Sequence, residues 1–156
     1  MDEVFDSPTD WVAEHIRRYV ETDGEKGHLF QGFPSLLLTT RGRKSGQLRR
    51  TALIYAQDGD RYLVVASAGG SDRHPAWYLN LSAHPDVTVQ IKADTFAARA
   101  RTATAEEKKE LWPRAVAVFP MWDTYRSKTD RDIPLVIIER SGGDEPADVG
   151  EKLEGA

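Results

Sequence analysis

The β-rich segments of this chain follow one another instead of alternating with helices, which argues against a doubly wound α/β fold. SLLLTT, a polar RGRKSGQ connection and RRTALIYAQ come first, and RYLVVAS follows across Asp58-Gly59. An Asp-Gly pair between alternating apolar runs is a strong hairpin signal, so the spacing predicts a three-stranded meander. DVTVQI and TFAARARTA form a further hairpin around Lys92-Ala93-Asp94, with Arg99 and Arg101 alternating against Ala98 and Ala100. IPLVIIE closes the series, and its unbroken apolar run implies burial on both faces. Six antiparallel strands and two helices fit an α+β, mainly antiparallel domain or a barrel, which also removes exposed edges.

Each helix carries a start signal. Ser7 reads as an N-cap, Pro8 as the first helical residue and Asp10 as the partner that closes a capping box, with the helix running to about Glu21. Its apolar face, Trp11, Val12, Ile16, Tyr19 and Val20, either packs on the core, covers a substrate cleft or docks against a membrane. Thr104 and Glu107 form a second capping box for a helix ending near Phe119, before Pro120. Two prolines bracket HPAWYLNLSAHP, which leaves room for about two helical turns. MWDTYRSKTDRD reads as a polar connector. The expected organisation is a helical extension over residues 1–30, a β domain over 31–140 and a disordered acidic tail over 141–156.

The 156 residues contain no cysteine, which removes thiol catalysis and disulfides and fits a reducing compartment. MDEVFDSPTD has four acids and no base, unlike a secretory signal, and no apolar run reaches membrane-spanning length. A cytoplasmic protein is expected. The 25 acids outnumber the 21 Lys and Arg residues, so a general nucleic-acid surface is not expected and any anion site must be local. His15, His28, His74 and His84 lack metal-ligand spacing, and no metal site is expected.

Such a local site lies at TTRGRKSGQLRR, where Arg41, Arg43, Lys44, Arg49 and Arg50 stand without an acid. Gly42 and Gly46 let backbone N–H groups turn toward an anion, and Ser45 adds a hydroxyl. Three charge-assisted contacts sum to roughly 5–9 kcal/mol before ordering costs, enough to anchor a polyanion. A solvated hairpin tip is the plainer alternative. The loop is not a P-loop, because Arg43 precedes Lys44 where glycine is required, and no G-x-G-x-x-G occurs. Aromatic residues are not interleaved with the charges, as nucleic-acid stacking would need. Ala66, Ser67, Ala68 and Gly69 end a strand with small residues, so a flat ring can approach the backbone. Ser67 is no hydrolase nucleophile, since Val65 replaces the first glycine of G-x-S-x-G. Trp122 and Tyr125 sit where they can form a lid over a flat substrate.

LLLTTRGRKSGQLRR, VVASAGG, HPAWYLNLSAHPDVTVQI, the ATAEEKKELWP helix and YRSKTDRDIPL together resemble the deazaflavin-dependent nitroreductase family of actinobacteria, over about residues 33–139. The resemblance implies a split β-barrel like that of the FMN-binding pyridoxamine-phosphate oxidases, with coenzyme F420 as hydride donor. It puts Lys44 and Arg49 on the phosphate and oligoglutamate tail, with Arg43, Ser45 and Arg50 supporting. Ala66, Ser67, Ala68 and Gly69 would line the deazaflavin ring, and Trp77 to Asn80 would be scaffold beside the cofactor. Relatives that reduce nitroimidazoles carry tyrosines where Phe119 and Trp122 stand here. Reduction of enones or quinones is therefore expected before nitro reduction, with Ser67, Tyr125 or solvent as proton source and Trp122 in the lid. FMN on the same barrel and a non-catalytic deazaflavin carrier are the alternatives. The partners implied are a small, flat electrophile, no nucleic acid, weak peripheral membrane contact, and a monomer or homodimer.

Overall fold

The computed structural model describes residues 4–7 and 9–141, so the expected tail beyond Ser141 lies outside the described residues. The chain opens with β1 (Val4–Asp6), α1 (Asp10–Glu21) and β2 (Leu29–Phe30). Then come β3 (Phe33–Arg41), β4 (Leu48–Ile54), β5 (Ala56–Asp58), β6 (Arg61–Val65) and α2 (Ala76–Ala83). β7 (Asp86–Ile91), β8 (Asp94–Thr102), α3 (Ala105–Val118), α4 (Met121–Ser127) and β9 (Leu135–Arg140) complete it. The sheet order is β1-β4-β3-β7-β8-β9-β6-β5, with β2 added to β3, and every pairing is antiparallel except β1 on β4.

β4, second on this path, and β5, at its far end, are one chain segment interrupted only by Tyr55. Ser35–Arg41 pairs with the first half and β6 with the second, so RRTALIYAQ changes partner in its middle. Tyr55 N–H makes the last rung to β3, donating to Pro34 O at 3.1 Å, before the next residues pair with β6. The result is the expected split barrel: the sheet does not close through hydrogen bonds at this point, and the bent strand bridges it.

Three apolar clusters follow from strand alternation. Leu36, Leu38, Val64, Val89, Phe96, Val136 and Ile138 fill the barrel interior. Leu63, Val65, Leu135 and Ile137 point the other way and are covered by Leu111, Trp112 and Ala115 of α3 and Trp122 of α4. β9 is thus buried on both faces, as its composition implies. Leu37, on the outer face of β3, packs under Ile16 and Tyr19 of α1.

The α3 capping box forms as expected, with Thr104 Oγ1 accepting from Glu107 N and Glu107 Oε1 accepting from Thr104 N. The expected start of α1 at Ser7 does not form. Its N-cap is Thr9, with no side-chain cap bond, while Ser7 N donates to Arg50 O at 3.0 Å. Pairing of β1 with β4 holds this segment in the sheet. Pro8 lies outside the described residues. The connector expected over residues 121–132 is helical in its first half, where Pro120 both ends α3 and, at φ −60°, begins α4. Among the described residues no helix is long and apolar enough to cross a membrane.

Tyr19 ties α1 to the barrel: fully buried, its hydroxyl donates to Ser35 O at 3.1 Å and accepts from Lys92 N at 2.7 Å. Tyr19→Phe leaves both groups unpaired and should cost about 1–3 kcal/mol, read as a lower urea midpoint at unchanged slope. Arg101, with the Thr104 backbone N–H second, holds the Glu107 carboxyl at about 2 against an ordinary 4.5. Its folded-state value is depressed, so its stabilisation is present above pH 4.5 and fades as the pH falls toward about 2. The Tm advantage of the natural chain over Glu107→Gln should therefore shrink across that window.

Candidate active site

Two depressions meet at Trp77 of α2, which lines both. The first is a cavity of about 290 Å³ beside the bent strand, floored by Ala52, Leu53 and Ile54. It opens where the two helical covers leave the outer face bare. α1 supplies Trp11, Val12 and His15 to one wall, and the α3–α4 corner supplies Phe119, Trp122 and Tyr125 to the other. Phe119 fixes that corner, its ring meeting Trp122 edge-on at 5.3 Å and Phe33 at 4.8 Å.

A third wall is the turn after β6. Ser67, Ala68 and Gly69 line the cavity, whereas Ala66 is buried just behind them. Ala68, Gly69 and Gly70 have φ values of 48°, 64° and 87°. A Cβ on Gly70 would lie 3.2 Å from Tyr125 O and from Lys128 Cβ, so glycine there lets α4 pack against the turn. Arg131 clamps the turn from outside. Its guanidinium donates to Ala66 O (3.1 Å), Ser67 O (2.8 Å) and Ser71 O (3.0 Å), and lies 2.8 Å from His74 Nδ1. Ser67, Trp122 and Tyr125 are thus brought together on one cavity, and neither the Ser67 nor the Tyr125 hydroxyl has a hydrogen-bond partner among the described residues.

The second depression, about 480 Å³, is lined by Arg43, Lys44, Ser45, Arg49 and Arg50 on one side and Phe5, Asp6 and Ser7 on another. Its cations are engaged differently. Arg43 gives its backbone N–H (3.1 Å) and Nη1 (3.0 Å) to Oδ1 of Asn80, a buried side chain that also reaches Thr40 Oγ1. Arg50 forms a forked pair with Asp6, Nε to Oδ1 at 2.6 Å and Nη2 to Oδ2 at 3.2 Å. Arg49 lies over the Phe5 ring at 5.7 Å and donates to Gln47. Lys44 has no ion-pair or hydrogen-bond partner among the described residues. The N–H groups of Gly42 and Gly46 do not face an anion as expected: they close the loop on Gln47 O (2.7 Å) and Gly42 O (2.9 Å). Ser45 Oγ accepts from Gln47 N at 3.1 Å.

Several residues here escape a reading of the sequence. Trp11, Val12 and His15 reach the cavity because α1 covers a cleft, one of three placements its amphipathic pattern allowed. His15 Nε2 is buried without a hydrogen-bond partner among the described residues, and burial, opposed by the Gly27 carbonyl and reinforced by Arg18, holds the imidazole below the ordinary histidine range. Arg131 has no local signal except its place in YRSKTDRDIPL. Asp6 could have been suspected, since an acidic segment and a basic loop in one chain attract.

The donor set and shape fit an elongated ligand with a flat, apolar end in the first cavity and an anionic end in the second, joined past Trp77. Residues 11–140 match the family described as F420H(2)-dependent quinone reductase. An F420H(2)-dependent quinone reductase of Mycobacterium tuberculosis is 41% identical over 130 residues, spanning 81% of this chain and 87% of that protein. A structure described as an F420-H2 dependent reductase, FDR-A, is 40% identical with a TM-score of 0.64, covering 68% of this chain and 94% of its own. One described as a domain-swapped dimer is 39% identical with a TM-score of 0.66, covering 85% of this chain and 100% of its own. The chain belongs to the F420H(2)-dependent quinone reductase family, and is an oxidoreductase whose cofactor is coenzyme F420.

Proposed function

We propose that this enzyme passes a hydride from reduced coenzyme F420 to quinones and to the activated C=C bonds of enones, with nitro compounds as poorer acceptors. The observation that carries this reading is the junction at Trp77 between a small aromatic cavity and a cationic cleft. When bound, the reduced deazaflavin supplies two electrons together as hydride. The protein's part is to bind, orient and protonate. Lys44 and Arg49 anchor the phosphate and glutamates, with Arg43, Ser45 and Arg50 beside them. The turn Ser67–Gly69 gives the ring a flat wall, backed by Ala66 and stiffened by Arg131 through three carbonyls.

A quinone that accepts hydride still needs a proton to become the hydroquinone, and an enone needs one to become the saturated ketone. Ser67 and Tyr125 carry hydroxyls on the cavity wall, and Trp122 and Phe119 shield it from water. Quinones come first because the mycobacterial relative is named for them. Phe119 and Trp122 replace the tyrosines of nitroimidazole-reducing relatives, so nitro reduction ranks last. A cytoplasmic location fits the absence of cysteine, and of the two assembly states open to this chain, monomer or homodimer, the relative described as a domain-swapped dimer favours the second. Trp11 and Leu29, 62% and 63% exposed, offer weak contact to a membrane that carries quinone.

Fluorescence titration with oxidised coenzyme F420 and, separately, FMN tests the cofactor site. F420 should bind more tightly, lose affinity with added salt, and lose about tenfold or more in Lys44→Ala, one charge-assisted contact. Preference for FMN, or indifference to that substitution, would refute the assignment. With a naphthoquinone, the Ser67→Ala/Tyr125→Phe double variant should lose about a hundredfold in kcat at little change in F420 affinity. An unchanged kcat would assign the proton to solvent.

A further inference from the structure

We propose that Asp6 is an internal competitor for the cofactor's tail, holding at Arg50 a carboxylate subsite that a tail glutamate takes on binding. The inference rests on the reading of the cationic cleft as the tail site. Among the described residues lining that cleft, Asp6 is the one acid, facing Arg43, Lys44, Arg49 and Arg50. Its two oxygens meet the Arg50 fork at 2.6 and 3.2 Å, the two-point geometry by which arginine recognises any carboxylate. A tail glutamate's carboxylate offers the same two oxygens in one plane.

The placement makes exchange feasible. Asp6 belongs to a three-residue edge strand whose register sets Phe5 beside Arg49 and Asp6 beside Arg50. Few groups hold it: the β1–β4 ladder, the Ser7 N–H to Arg50 O bond and the Phe5–Arg49 contact. The paired side chains are 30% and 24% exposed, so the pair is open to a ligand instead of sealed in a core. Two of the cleft's four cations are thus engaged by the N-terminal strand, and Arg43 is tied to the neutral Asn80. Lys44 is left to meet an incoming anion first. Arg50 adds net affinity only to the extent that a tail carboxylate outcompetes Asp6, so Asp6 blunts the dependence of affinity on the number of glutamates.

The test is a fluorescence titration of the full-length natural chain, Asp6→Asn, Asp6→Asn/Arg50→Gln and Lys44→Ala. The ligands are coenzyme F420 and the deazaflavin chromophore lacking phosphate and glutamates, each at low and high salt. Asp6→Asn keeps the side chain's size and one acceptor oxygen, and Asp6→Ala serves as a second variant should the first not fold. Releasing Arg50 should tighten F420 binding about threefold to tenfold at low salt, less at high salt. The bare chromophore should bind as before, and adding Arg50→Gln should abolish the gain. Unchanged or weaker F420 binding by the Asp6 variants, with Lys44→Ala still impaired, would overturn the proposal and leave Asp6 a structural partner of Arg50. An unimpaired Lys44→Ala would instead show that the tail does not lie in this cleft, and the proposal would fall with that reading.

Discussion

The exchange of partners within residues 48–58 governs the rest of the molecule. A strand that kept one partner would continue its ladder with β3, and residues 56–58 would not pair with β6 at the other end of the sheet path. After a last rung at Tyr55, whose N–H donates to Pro34 O, the backbone redirects the remaining residues to β6. Tyr55 itself turns inward, 5.8 Å from the Tyr62 ring, and burial pushes its phenol up to about 12. A neutral, buried tyrosine therefore occupies the pivot. Each half of the sheet then has its own outer face and its own helical cover, and the strip over the pivot is left to neither.

How much of this the sequence discloses depends on how local the cause is. Capping at Thr104 involves four consecutive residues, and the double burial of β9 is written in its four consecutive apolar side chains, Leu135 to Ile138. Both are legible. The turn between β5 and β6 is also visible in the sequence, although the two loop residues are Gly59 and Asp60, with Asp58 still paired to Arg61. β1 is not legible, because three residues show no period and the partner strand is 44 residues away. Helix α4 leaves a faint trace: Trp122 and Tyr125 are three apart and face the same cavity, but polar neighbours mask the pattern. The partner switch at Tyr55 is invisible, since inside–outside alternation runs through it without a break.

The candidate site divides in the same way. A count of basic residues locates the cationic cleft but not the state of its charges, which is set by contacts from Asp6, Phe5 and Asn80. Small residues after β6 locate the flat wall of the cavity, but its stiffness comes from Arg131, 60 or more residues further on. Asn80 illustrates why the Trp77–Asn80 block reads as scaffold: one buried amide oxygen accepts from both the backbone and the side chain of Arg43, fixing the start of the basic loop against α2.

The two depressions are carried on different kinds of chain. The cationic cleft is built on the connection between two central strands, where a change of backbone would disturb the sheet. The far walls of the aromatic cavity hang from helices that pack on the outside of a barrel already filled. Substitutions at Trp11, His15, Phe119 and Tyr125 therefore leave the backbone of the basic loop in place. A lineage built on this scaffold can change what it reduces many times over while keeping one electron donor, and sequence divergence should accumulate on the helical walls before it reaches the loop.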